Sequence, residues 1–132
     1  MTESNKELIK QQIMLEAMAL QSPLGLALYD DTLYEAPKHL MLLNQMLLDV
    51  ADGKIKRLMV TMPPRHGKSE LCSKYFPAWY LGTHPDDRIL LNSYEADFAA
   101  TWGQKVRDIF KEHKELYGVM VNDRSAARNR WD

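Results

Sequence analysis

The sequence predicts an α/β fold, in which a parallel sheet is flanked by helices. The first observation behind this prediction is a pair of short runs rich in strand-forming residues, 55–62 and 88–94. The second is the stretch between them, where a loop containing proline and glycine, 63–67, precedes helix-forming residues over 68–81. A strand, a helix and a second strand at this spacing form a right-handed crossover unit, which makes the two strands parallel.

The N-terminal residues are predicted to form a helix and a loop. Ser4 and Glu7 have the spacing of a helix-capping pair, and apolar residues then recur at helical intervals up to Leu20. Residues 23–36 show no period, which predicts a loop or a short extended stretch. Residues 1–36 are therefore predicted to form a helical and loop segment that precedes the main domain.

The main domain is predicted to span 37–132. Pro37 suits the first turn of a helix, and a second helix is predicted from there to Val50. A further amphipathic helix is predicted over 98–113, followed by an irregular end. No internal repeat is present.

Composition narrows the class of protein. The chain has 132 residues, 45% of them hydrophobic and 27% charged, which is typical of one folded domain and excludes a disordered or fibrous chain. The net charge of −1 gives no overall basic field for nonspecific binding of nucleic acid. A single cysteine, Cys72, and four scattered histidines give no metal-ligand spacing. No signal peptide and no apolar run of about 20 residues is found, so a cytoplasmic location is predicted.

The loop between the first predicted strand and its helix carries the chemistry. A phosphate-binding loop needs inward backbone N–H groups, a lysine for the β and γ phosphates, and a serine or threonine hydroxyl for Mg²⁺. Gly67, Lys68 and Ser69 have the required types in the required order, at the predicted start of a helix. The alternative interpretation is an ordinary helix start with a nearby glycine and a solvated lysine.

This loop departs from the usual pattern G-x-x-x-x-G-K-[ST], because Met62 stands where the first glycine is expected. Pro63 and Pro64 fix their φ angles and stiffen the loop, and Arg65 places a second cation beside the phosphates. The motif is therefore a deviant Walker A loop.

Residues 57–71, followed by Phe76-Pro77-Ala78-Trp79 and Leu81-Gly82, resemble the large subunit of tailed-phage terminases. The resemblance continues through 89–94, through Val106-Arg107-Asp108 and to Arg130-Trp131, so it covers roughly 37–132. It implies a P-loop NTPase-like fold. It also implies an ATPase motor that moves viral DNA into a procapsid and is joined to a nuclease domain.

The resemblance also implies site residues, cofactors and partners. Lys68 would contact the β and γ phosphates of ATP, Arg65 would be a second, also catalytic, phosphate contact, and Ser69 would bind Mg²⁺. His39 would lie in the adenine-contacting segment upstream. Double-stranded viral DNA, the terminase small subunit, the portal protein and further copies of the chain are the implied partners, in the host cytoplasm and without a membrane. The residues predicted to bind the nucleotide are Pro64, Arg65, His66, Gly67, Lys68, Ser69, Glu70 and His39.

The acidic residues that hydrolysis requires are not found in the sequence. An aspartate for Mg²⁺ and a glutamate for water are expected at the end of a later apolar strand, whereas 46–49 and 119–123 fit that pattern poorly. In the terminase pattern this strand would follow Trp131. The chain is therefore expected to be the N-terminal portion of the ATPase domain, without Walker B and without the nuclease. We expect it to bind ATP with Mg²⁺ and to hydrolyse ATP poorly or not at all.

Other interpretations remain open on the sequence. One is a truncated, prophage-derived remnant or interaction module without catalytic activity. Another is a different P-loop enzyme such as a small kinase, for which neither an acceptor site nor a lid is visible. The arginines at 124, 128 and 130 suit either DNA phosphates, an arginine finger toward a neighbouring subunit, or a solvated tail.

Overall fold

The structure, a computed structural model, describes residues 2–132 and consists mainly of helices. A short 3₁₀ turn, Asp123–Ser125, lies in the C-terminal tail, residues 113–132. The long helices predicted from periodicity are confirmed. The α-helices in chain order are α1 (Glu3–Gln21), α2 (Pro23–Asp30), α3 (Lys38–Ala51), α4 (Phe76–Thr83) and α5 (Ala96–Glu112), and a π-helical segment, Glu70–Tyr75, leads directly into α4.

Helix α2 lies where a loop was predicted, so the prediction for 23–36 is wrong over its first eight residues. Ser22 ends α1 with its backbone N–H on the Met18 carbonyl and begins α2 with its side chain, which accepts from the Gly25 N–H at 3.0 Å. Pro23 occupies the first turn of α2, where a missing N–H costs nothing. Gly25 is required because a Cβ there would collide with the Met18 carbonyl.

The predicted α/β fold is wrong, and so is the P-loop NTPase-like parallel sheet that the resemblance implies. Within residues 2–132 the only β pairing is one isolated antiparallel bridge between Ala126 and Trp131, and 55–62 and 88–94 are irregular and unpaired. Parallel strands are normally covered on both faces, whereas here Met59 is 91% exposed and Leu90 is 84% exposed. Strand propensity is realised only when a strand has neighbours to pair and pack with, and these two segments have none.

Helices form the core instead. The π-helical segment and α4 lie at its centre, with Leu71 and Tyr75 almost completely buried. Leu26 of α2 and Phe110 of α5 belong to the same buried cluster, and α3 adds a stripe of leucines at helical spacing. The leucines of that stripe are Leu40, Leu43 and Leu47.

The π-helical segment has a local cause in Pro77. The helix that begins at residue 68 continues to Thr83, and Pro77 lies in its interior. A proline there donates no hydrogen bond, and its ring clashes with the carbonyl four residues earlier, at Ser73. The wider π turn relieves this clash, and the Phe76 N–H donates to the carbonyl of Leu71, five residues before it.

Helix α1 is anchored at its C-terminal end. The Trp79 indole N–H donates to the Leu20 carbonyl at 3.0 Å, and the Tyr117 hydroxyl donates to the Ala19 carbonyl at 2.8 Å. Residues 2–14 are exposed along their whole length. None of the helices within residues 2–132 has both the length and the apolar character that a membrane crossing requires.

Candidate functional site

The loop that the sequence singles out leads directly into a helix. Residues 63–67 are irregular, and Lys68 and Ser69 are the first helical residues. Two loop residues have left-handed backbone conformations, Arg65 with φ 65° and Gly67 with φ 82°. Glycine adopts this conformation freely, whereas for arginine it is strained. Left-handed residues interspersed in a turn aim successive N–H groups toward a common point, which suits an anion.

The backbone N–H groups of residues 65–70 have no hydrogen-bond acceptor within residues 2–132. The first intrahelical bond of this helix runs from the Leu71 N–H to the Gly67 carbonyl at 3.1 Å. Unpaired N–H groups at a helix start carry partial positive charge and attract anions. The loop therefore presents a continuous set of free donors.

Two carbonyls of the same loop are occupied by imidazoles. The His66 Nδ1 lies 2.9 Å from the Pro64 carbonyl oxygen, and the His39 Nε2 lies 2.9 Å from the His66 carbonyl oxygen. Since a carbonyl only accepts, each of these ring nitrogens carries a hydrogen. The two rings are arranged edge to face, with their centroids 5.7 Å apart. His39, in the first turn of α3, is thus tied to a loop 27 residues away.

A cleft of about 210 Å³ lies between the start of α3 and the loop. It is shallow and opens to solvent. Gly67 forms part of its floor, and a Cβ added there would lie 3.1 Å from the Leu40 Cδ1. The residues that line the cleft are Tyr34, Glu35, Pro37, His39, Leu40, Arg65, His66 and Gly67.

Arg65, Lys68 and three exposed cations have no ion-pair partner within residues 2–132, and one carboxylate, that of Glu35, also lines the cleft. Among the residues that the structure describes, no carboxylate lies within ion-pair distance of Arg65 or Lys68, nor of the exposed side chains Lys38, Lys56 and Arg57. These cations are available to a polyanion.

Glu70, the first residue of the π-helical segment, is engaged elsewhere. Its carboxylate lies 3.6 Å from the Lys74 ammonium and 3.7 Å from the Lys105 ammonium. This pairing directs its charge toward α5. The hydroxyl of Ser69, the predicted Mg²⁺ ligand, is exposed and makes no hydrogen bond within residues 2–132.

Tyr34 carries a hydroxyl that is buried and has no hydrogen-bond partner within the described part of the chain. Burial, with the nearby Glu70 and Cys72, raises the pKa of Tyr34 to about 12. Burial also raises the pKa of the Cys72 thiol, and the Lys68 ammonium partly offsets that rise. Both groups are therefore neutral near pH 7, and Cys72 has no thiolate character.

The structure brings together some of the predicted site residues and separates others. Arg65, His66, Gly67 and His39 line the same cleft, and Pro64 is bonded to the His66 ring beside it. Lys68 and Ser69 follow on the helix start and do not line it.

Tyr34 and Glu35 line the cleft but were missed by the sequence analysis. They lie in the aperiodic stretch just before α3. The closeness of that stretch to Pro37 and His39 is the one signal that points to them.

A second group of polar side chains lies at the far end of α5. The ligand atoms of Asp30, Glu112 and His113 all lie within 4.8 Å of one another. Asp30 already accepts from the His113 Nε2 at 2.7 Å and from the Tyr75 hydroxyl at 3.0 Å, so its oxygens are used in holding α2, the π-helical segment and α5 together. Sequence reasoning missed this contact because Asp30 and His113 are 83 residues apart.

Arg128, one of the three arginines considered for DNA or for a finger, is used within the chain. Arg128 donates to the Thr101 hydroxyl at 2.7 Å, which fastens the C-terminal tail to α5. Arg107 of α5 in turn donates to the Ala126 carbonyl of the tail at 2.8 Å. Compared with known proteins, the chain matches no protein-family model, no curated protein and no solved structure.

Proposed function

We propose that this chain is the ATP-binding portion of a viral DNA-packaging terminase large subunit, with the nucleotide phosphates bound at residues 64–69. The observation that carries the proposal is the run of free backbone N–H groups over 65–70 at the start of a helix. The sequence resemblance is the reason to propose this motor, and the free N–H groups are the reason to expect an anion at this loop.

The roles of individual residues follow from their chemistry. Lys68 and Arg65, which have no carboxylate partner among residues 2–132, supply two positive charges to the β and γ phosphates. Ser69 offers a hydroxyl to the Mg²⁺ that accompanies ATP, and Mg²⁺ would supply further charge neutralisation of the phosphates. The Glu70 carboxylate is paired with two lysines, and the nearby Glu35 lines the cleft beside the loop rather than following a strand as a Walker B acid would. The proposal is therefore binding of Mg-ATP, with hydrolysis weak or absent in this chain alone.

Under the same proposal, double-stranded viral DNA, the small subunit, the portal protein and further copies of the chain are its partners. Lys38, Lys56 and Arg57 support a role for DNA, because their side chains are exposed and have no ion-pair partners among residues 2–132.

The test is calorimetric titration of Mg-ATP into the chain and into Lys68→Ala, with Lys10→Ala as the matched control. Lys10 is an exposed lysine on α1, away from the loop. Saturable binding by the wild type and by Lys10→Ala, weakened at least tenfold in Lys68→Ala, is the expected result. A folded wild type that takes up no Mg-ATP refutes the proposal.

A second candidate, an interaction module without catalytic activity, has one observation in its favour. The apolar side chains of Met59, Leu90 and Tyr94 are largely exposed on segments that pair with no strand among residues 2–132. Such exposed apolar side chains are typical of surfaces that another chain covers. Absence of Mg-ATP binding in a folded sample would favour this candidate.

A further inference from the structure

The His39 imidazole makes a hydrogen bond that controls the direction of a loop peptide. Its Nε2 donates to the His66 carbonyl at 2.9 Å. The bond between residues 66 and 67 is trans, since no peptide bond within residues 2–132 is cis. In a trans peptide the C=O and the following N–H point in opposite directions. Fixing the His66 carbonyl toward α3 therefore fixes the Gly67 N–H away from α3.

The peptide between Pro64 and Arg65 is held in the same manner. The His66 Nδ1 donates to the Pro64 carbonyl at 2.9 Å, which turns the Arg65 N–H to the opposite side. A free carbonyl in the cradle would repel an anion, whereas a free N–H attracts it. The two imidazoles thus keep two carbonyls engaged and leave two N–H groups, of Arg65 and Gly67, without acceptors among residues 2–132.

This arrangement needs support from outside the loop. Arg65 has φ 65°, which is strained for a residue with a side chain, and Gly67 is free to adopt other conformations. The His66–Pro64 bond is internal to the loop and moves with it. The His39 bond comes from α3, an element of the buried core, and so ties the loop to the rigid part of the molecule.

We propose that His39 is a positioning residue of the phosphate loop, which orients the 66–67 peptide for anion binding without contacting the nucleotide. This inference rests on the proposed function. It differs from the role implied by the resemblance, in which His39 contacts the adenine. A base contact would favour ATP over an inorganic polyphosphate, whereas loop positioning acts equally on both.

The experiment compares Mg-ATP with Mg-tripolyphosphate as ligands, by calorimetry, for the wild type, His39→Phe and His39→Gln. Phenylalanine keeps a ring but has no donor, and glutamine places an amide N–H close to the position of the Nε2. A hydrogen bond contributes about 1 kcal/mol net, which corresponds to about fivefold in affinity. We expect His39→Phe to lose about fivefold for both ligands, and His39→Gln to recover most of the loss.

A second readout does not depend on any ligand. In the amide NMR spectrum of the free protein, His39→Phe should shift the Gly67 resonance, and His39→Gln should restore it. His84→Phe is the matched control, because His84 is another exposed histidine and follows the opposite end of the helix that starts at Lys68. It should leave both the Gly67 resonance and the affinities unchanged.

Each outcome separates the two proposals. If the wild type binds both ligands and His39→Phe binds them equally well, the positioning role is refuted and the proposed function stands. If His39→Phe weakens ATP alone, His39 contacts the base and the positioning role is again refuted. If the folded wild type binds neither ligand, the proposed function fails and the positioning role fails with it.

Discussion

Replacing Asp30 by alanine tests whether one buried carboxylate holds three helical elements together. Asp30 is the last residue of α2, and its side chain is 9% exposed. Its oxygens accept from the Tyr75 hydroxyl at 3.0 Å and from the His113 Nε2 at 2.7 Å, and the Lys74 ammonium lies 3.9 Å away. The substitution removes all three contacts at once.

The magnitude follows from what remains buried. Tyr75 is 1% exposed, so without Asp30 its hydroxyl has neither an acceptor nor access to water. A hydrogen bond to a charged group contributes about 1.5–3 kcal/mol, and a buried unpaired hydroxyl costs about 1–3 kcal/mol. His113 is 20% exposed and can turn to water. We therefore expect Asp30→Ala to lower the free energy of unfolding by about 2–4 kcal/mol, a large part of the usual stability of a domain.

The assay is urea unfolding followed by far-UV circular dichroism. Asp31→Ala is the matched control, because Asp31 is exposed and its carboxylate accepts only from the nearby Leu33 N–H. The double variant Asp30→Ala with Tyr75→Phe should lose less than the sum of the two single losses, because the orphaned hydroxyl is then absent. A loss in Asp30→Ala no larger than in Asp31→Ala, or strict additivity in the double variant, would refute the reasoning.

Two further predictions concern the loop and its cleft. Gly67→Ala should lower the free energy of unfolding in urea more than Gly53→Ala does. Both glycines have positive φ (82° and 78°), which costs about 1–2 kcal/mol for alanine. Only the new Cβ at residue 67 would crowd the Leu40 side chain. Equal losses would contradict this. Tyr34→Phe should change stability at pH 7 by less than about 1 kcal/mol, because the Tyr34 hydroxyl has no partner within residues 2–132, whereas Tyr75→Phe should lose about 1–2 kcal/mol. Because burial raises the pKa of Tyr34 from 10.0 to about 12, the stability that its neutral form contributes is complete below pH 10 and is lost toward pH 12. Tyr34→Phe should make this fall shallower, and an unchanged pH profile would count against the buried hydroxyl.

Two of the helices that the sequence predicted correctly have one apolar face. Helices α3 and α5 each bury a stripe at helical spacing, and this period is readable without tertiary information. Helix α2 was missed because it is apolar on nearly all sides and buried over Pro23–Ala27, so it has no polar face to create a period. Its Pro23 and Gly25 also resemble loop residues, although one suits a helix start and the other a close helix contact.

The strands were predicted wrongly because a strand depends on partners that local sequence does not encode. Runs such as 88–94 have the right residue types, but their side chains face solvent and their backbone pairs with nothing within residues 2–132. The loop at 63–69 was visible because its chemistry is local. The hydrogen bond of His39 to the His66 carbonyl joins residues 27 apart, and the Tyr34 hydroxyl is buried by tertiary packing. Neither feature can be predicted from local sequence.

Pro77 has a consequence for the loop that lies well beyond its own turn. An α-helix rotates by about 100° per residue, and a π turn holds one additional residue in the same rise. Compared with an uninterrupted α-helix, the side chains at the N-terminal end of this helix are therefore turned about the helix axis by about 100°. The rotation is relative to the helix face that buries Trp79. The direction in which the Lys68 side chain points is thus set by Pro77, nine residues further along the chain.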